Sequence, residues 1–133
     1  MYYFFQMFSD YLRYRKAVQM ADDAHAKDGD RYYVMPSNQK KQKGKPTLIV
    51  MDRKNFRKLR LKGYIDRRAN MRDVVNECFY CTPYANGNGY LDAKGRKLKL
   101  ALYFSYCKSK REIARQQREK QHKSIWQRFR RNK

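Results

Sequence analysis

The sequence is short of acid. Only 12 of its 133 residues are Asp or Glu, against 33 Lys and Arg. That scarcity bears first on catalysis, because a metal-dependent nuclease needs carboxylates that converge. The acidic residues are scattered along the chain. Asp52, Asp66, Asp73 and Glu77 alone could meet, and Asp22-Asp23 sits on a helical stretch. No glycine-rich phosphate loop, HExxH or nucleophile elbow is present. No enzymatic activity and no cofactor are expected.

Three cysteines, an odd number, do not make a disulfide framework and point to a reducing compartment. Cys78-Phe-Tyr-Cys81 is a lone close pair. A structural zinc site needs four ligands, and only Cys107, His122 and the distant His25 remain to supply them. No metal site is expected. No thioredoxin-like strand-helix-strand pattern surrounds the pair either. No run approaches the roughly 18 apolar residues of a membrane span. Tyr2 to Phe8 is apolar, but no basic segment precedes it, and Asp10 and Arg13 follow closely. Neither a secretory leader nor membrane attachment is expected, and the expected location is cytoplasmic.

What the chain does have is positive charge, with a formal net value of +21. A compact domain so charged repels itself unless something neutralises it. The charge is also segregated. Residues 1–30 sum to −1, 31–69 to +11, 70–95 to −1 and 96–133 to +12. Solubility alone gives no reason for two basic blocks alternating with two neutral ones, so the pattern implies surfaces aimed at an anionic partner. A hydrophobic content of 41%, with 15% aromatic, is too high for disorder and enough for a modest core. The twelve Tyr and seven Phe can pack, or they can stack on bases.

The expected fold class is α+β: a small antiparallel β-hairpin packed by several helices, with a long N-terminal helix and a long basic C-terminal helix. Residues 1–107 form the domain and 108–133 a basic helical arm. No Gly or Pro interrupts residues 2–27, where Phe4, Met7, Tyr11, Tyr14, Val18, Ala21 and His25 repeat at helical spacing and Phe5, Phe8 and Leu12 widen the stripe. Such a stripe packs on the core or serves as a docking or dimer seam.

Arg31 to Met35 and Thr47 to Met51 read as the two strands of a hairpin over 31–52, closed by a lysine-rich loop. Asp52 caps a helix over 53–62 that Gly63 ends. Asn70 caps a second helix over 71–81, with Met71, Val74, Val75, Cys78 and Phe79 on its buried face. Residues 93–107 alternate as a strand could. Their Leu, Ala and Lys content and lack of β-branched residues favour one long helix from about residue 93, with Asp92 as cap and Leu91, Leu98, Leu102 and Ser105 on one face.

In size and charge the chain resembles the small basic accessory proteins of phage and other mobile elements, a resemblance that no single motif carries. The function expected is sequence-nonspecific binding of RNA or DNA, alone or inside a larger nucleoprotein assembly. Lys and Arg contribute to such binding through counterion release, which needs no base readout. The candidate contacts fall in three groups. Lys40, Lys41, Lys43 and Lys45 lie in the hairpin loop, and Arg53, Lys54, Arg57 and Lys58 on the first short helix. The arm supplies Lys108, Lys110, Arg111, Arg115, Arg118, Lys120, Trp126, Arg128, Arg130 and Arg131. The alternative is an adaptor whose basic faces meet an acidic protein, with helix 2–27 as the docking or homodimer seam.

Overall fold

The run Leu48-Ile-Val-Met51 has no polar side, and the architecture explains why. In the computed structural model, which describes residues 2–37, 47–63 and 65–131, and side chains from 5 to 128 among them, both faces of a small sheet are covered. Strands β1 (Tyr33–Pro36) and β2 (Leu48–Met51) pair antiparallel with Tyr33 opposite Met51 and Pro36 opposite Leu48. Successive strand residues point to opposite faces. Val34, Leu48 and Val50 join one apolar cluster with α1 (Tyr2–Asp28) and α4 (Ala93–Arg131). Tyr33, Met35, Ile49 and Met51 join a second cluster, with α2 (Arg53–Leu61) and α3 (Met71–Glu77). A sheet buried on both sides leaves no polar positions on its strands.

The hairpin gains a third strand. Helix α3 was expected to run from 71 to 81, but it stops at Glu77. Cys78 turns extended at φ −64°, ψ 153°, and β3 (Tyr80–Cys81) pairs antiparallel with β1. The sheet order is β2-β1-β3. The Phe79 N–H donates to Val34 O and the Thr82 N–H to Tyr32 O, both at 2.9 Å. These bonds satisfy an edge of β1 that a longer helix would leave bare. Phe79 therefore packs with α1 and α4, while Cys78 stays with α2 and α3.

The helix ends follow local chemistry. The Asp52 carboxylate accepts from the Asn55 N–H at 2.8 Å. Asn70 and Asp73 form a reciprocal capping box. Asp92 Oδ1 accepts from Gly95 N at 2.6 Å and opens α4. Gly63, at φ +84°, follows the C-cap of α2, a left-handed position that glycine enters without a Cβ penalty. Helix α1 ends one residue before Gly29, whose N–H returns to His25 O at 2.7 Å.

Helix α4 buries a different face from the one expected, and α1 keeps only Tyr14, Val18 and Ala21 of its expected stripe against the core. On α1 the buried residues are Asp10, Tyr14, Ala17 and Ala21, whereas Phe5, Met7, Phe8, Tyr11 and Leu12 are exposed. On α4 they are Tyr103, Cys107 and Ala114, whereas Leu98 and Leu102 are exposed. Polar bonds set this rotation. The fully buried Tyr103 hydroxyl donates to Asp10 O at 2.6 Å, and Tyr14 donates to Phe79 O at 2.9 Å. The Tyr103 ring lies 5.1 Å from that of Tyr14 and 5.4 Å from that of Phe79. Such aromatic pairs add about 0.5–1.5 kcal/mol each beyond the area they bury. Burial pushes the Tyr14 hydroxyl up to about 12, so it remains a protonated donor.

Candidate nucleic-acid interface

The basic residues sort into three kinds of position. Lys40, Lys41, Lys43 and Lys45 lie outside the described residues, as do the side chains of Arg130 and Arg131. Several others are occupied within the fold. The Arg111 guanidinium grips the buried Asp10 carboxylate at 2.6 and 2.5 Å. Donating to Asp10 raises the pKa of Arg111 further. Lys110 Nζ lies 3.2 Å from Thr47 Oγ1 and 3.4 Å from the Tyr106 hydroxyl. With Ala114 also buried, the anchored part of α4 extends past residue 108, where the basic helical arm was expected to begin. From 115 to 128 every side chain is exposed, including Arg115, Arg118, Lys120, Trp126 and Arg128. Arg115 pairs with Glu112 at 2.7 Å, and Trp126 Nε1 donates to His122 Nε2, also at 2.7 Å.

The third kind of position is a cleft of about 850 Å³ between the start of β1, the first turns of α2 and α3, and the loop at Tyr84. Arg53, Lys54 and Arg57 line one wall, Arg72 stands on α3 and Arg31 comes from the strand entry. Arg53 and Arg57 share a face because they are four residues apart on a helix. Lys58, on the same helix, is exposed but outside this lining, and Lys108 is exposed on α4. Five cations against the carboxylates of Asp30 and Asp52 leave the cleft positive. Asp52 is already the cap of α2.

Arg31 organises one end of the cleft. Its Nε donates to Thr82 O at 2.9 Å and its Nη2 to Gly89 O at 3.0 Å. The same Nη2 is 3.3 Å from Cys81 Sγ. The guanidinium carbon sits 4.4 Å from the Tyr84 ring centre and 5.5 Å from that of Tyr33. Cys81 responds to this setting. A hydrogen bond from Cys78, then the charge of Arg31, pulls its thiol down to about 6 against the opposing effect of burial. Cys78 shifts upward, because hydrogen bonding to Cys81 and burial both favour its thiol form. Lys99 Nζ adds two 2.9 Å bonds, to Val75 O and Cys78 O, where α3 ends.

Of the cleft lining, Arg53, Lys54 and Arg57 are among the contacts expected from sequence, and Arg31, Arg72, Tyr33 and Tyr84 are not. The partners of Arg31 lie 50 to 58 residues away, so no local pattern marks it. Asp52, Asp66 and Asp73 each accept from main-chain N–H groups nearby. Cys107 packs between α1 and α4, across the sheet from Cys78 and Cys81, and His122 stands on the outer part of α4. Among the described residues no group of three or more His, Cys, Asp or Glu could hold a metal ion, and no helix is long and apolar enough to cross a membrane. No protein-family model, curated protein or solved structure matches the chain.

Proposed function

We propose that the protein binds RNA or DNA without base-sequence specificity, as a non-enzymatic component of a nucleoprotein assembly. The observation that supports this reading best is the cleft itself, where five cations surround two tyrosines and outnumber the carboxylates. The outer part of α4 adds a second basic surface. Phosphates neutralise both and release counterions, which supplies affinity without reading bases.

Fluorescence anisotropy with labelled oligonucleotides across a salt series tests this. Binding at low salt is expected, with log K falling by about 0.7 per phosphate contact per decade of salt for a single strand and about 0.9 for a duplex. A preparation that carries no nucleic acid and binds neither DNA nor RNA at low salt refutes it.

One observation favours a second reading, an adaptor that docks through α1. Phe5, Phe8 and Leu12 fall on one side of that helix and are exposed by 65%, 55% and 50%. Light scattering at high protein concentration tests the simplest case, a second copy. A dimer that Phe8→Glu dissociates supports it, and a monomer throughout removes it.

A further inference from the structure

The cleft has features that counterion release does not require. A flat basic surface suffices to hold a duplex backbone. This site is concave, and its volume falls in the range of pockets that enclose a ligand, about 300–1,000 Å³. Its lining is also mixed. Half-buried Met71 and Val75 stand beside Arg53, Arg57 and Arg72, and the Tyr84 ring closes the end.

Tyr84 is a built platform. The residue is 48% exposed, and the Arg31 guanidinium covers one side of its ring at 4.4 Å. Three contacts to Thr82, Cys81 and Gly89 fix that guanidinium from behind. The loop is closed by Tyr84 N–H to Asn88 O and Gly87 N–H to Tyr84 O, both at 2.9 Å. Gly89 is required here. A Cβ at its position would lie 3.1 Å from Arg31 Nη2 and 3.2 Å from the Tyr84 ring, on a backbone at φ +77°. The ring is therefore set in place before any ligand arrives, and binding it costs little ordering entropy.

We propose that this cleft seats an unpaired nucleotide, with the base on the open face of Tyr84 and the flanking phosphates on Arg53, Arg57 and Arg72. The inference rests on the nucleic-acid reading and narrows it to single-stranded RNA or DNA, or to single-stranded segments of folded RNA. Bases in a duplex are stacked on each other and cannot reach a ring at the end of a cleft. Unpaired bases stack readily on aromatic side chains. The cation behind the ring adds to the site without choosing among bases. Asp30, on the cleft lining, repels phosphate and so favours a backbone path along α2 and α3. An acidic peptide would satisfy the arginines but leave the tyrosine platform and the apolar floor unused.

The test uses the full chain with a 15-nucleotide single strand, the matching 15-base-pair duplex and poly-glutamate as competitor, all at one low salt concentration. The single strand is expected to bind at least tenfold tighter than the duplex. Tyr84→Leu is expected to weaken single-strand binding by about 5- to 100-fold, the loss of one stacked base, while duplex binding changes less than twofold. Tyr84→Trp keeps the plane and is expected to retain affinity, which separates stacking from damage to the fold. An oligonucleotide carrying 5-iodouracil is expected to crosslink to the segment containing Tyr84. If strand and duplex bind equally and Tyr84→Leu changes neither, the nucleotide seat is overturned and the nucleic-acid reading stands. If poly-glutamate displaces the single strand at equal charge, the nucleotide seat fails, and if neither strand nor duplex binds, both readings fail.

Discussion

Arg111 was expected to contact phosphate, and the structure gives it an internal task whose removal has a calculable cost. Its partner Asp10 is 1% exposed, on the face of α1 that packs against α4. In Arg111→Met the carboxylate keeps its burial and loses two charge-assisted bonds of 2.6 and 2.5 Å. Leaving one member of a buried ion pair unpaired costs about 3–5 kcal/mol. The reverse variant, Asp10→Asn, leaves the arginine. Its side chain is 28% exposed and can turn toward water, so the cost falls to about 1–2 kcal/mol. At roughly 3–5 °C per kcal/mol for a chain of this size, Arg111→Met is expected to lower Tm by about 10–20 °C and Asp10→Asn by about 3–10 °C. The double variant is expected to be more stable than Arg111→Met alone, since no buried charge remains. Urea and thermal unfolding followed by circular dichroism at 222 nm give all three values. Equal losses for the two single variants, or a double variant worse than both, would refute the claim that Asp10 is the costly partner.

The outer part of α4 gives a separable result. Truncation after residue 116 is expected to leave Tm within a few degrees and to flatten the salt slope of nucleic-acid binding, whereas truncation after 107 removes Arg111 and Ala114 and unfolds the domain. Both are read by thermal melts and anisotropy. Cys81 is expected to titrate below the ordinary thiol range in a thiolate absorbance experiment at 240 nm. Because its folded pKa lies below the ordinary 9.0, the unfolded state holds one more proton between those values. The Cys81 contribution to stability therefore rises with pH across that window and is lost below it, the raised Cys78 thiol works the opposite way above 9.0, and Cys81→Ser should flatten the slope inside the window. Gly63→Ala meets no atom within 4 Å, so only the left-handed backbone opposes it, at about 1 kcal/mol in a urea melt.

What could be read from the sequence depended on how far apart the partners lie. Helix α2 was legible because its cap Asp52, its buried Phe56 and its terminating Gly63 fall within a dozen residues. The long α4 was legible from composition. The buried face of α4 was not, and that of α1 only at Tyr14, Val18 and Ala21, since apolar spacing admits several rotations and the choice depends on Asp10 meeting Arg111, 101 residues away. Strand β3 was missed for a related reason. Met71, Val74 and Cys78 keep helical spacing up to the point where β1 offers unpaired bonds, and only the aromatic Phe79-Tyr80 hints at the change. The cleft was half legible: the α2 cations stand in a row, but the platform needs Arg31 and Tyr84 brought together from opposite sides of β3.

Helix α4 carries a consequence for how order spreads along it. At about 1.5 Å per residue its 39 residues extend about 58 Å, and no side chain beyond Ala114 is buried among those described. A free peptide of the length of 115–131 would have to form a first turn unaided, an event disfavoured by about a thousandfold. Here the first turn already exists, held by Tyr103, Cys107 and Arg111, and each further residue adds one bond to a standing template. The outer helix can then loosen only from its far end. Amide exchange should quicken steadily from 115 toward 131 rather than in one cooperative step, and any ligand that grips the end should slow the whole gradient at once.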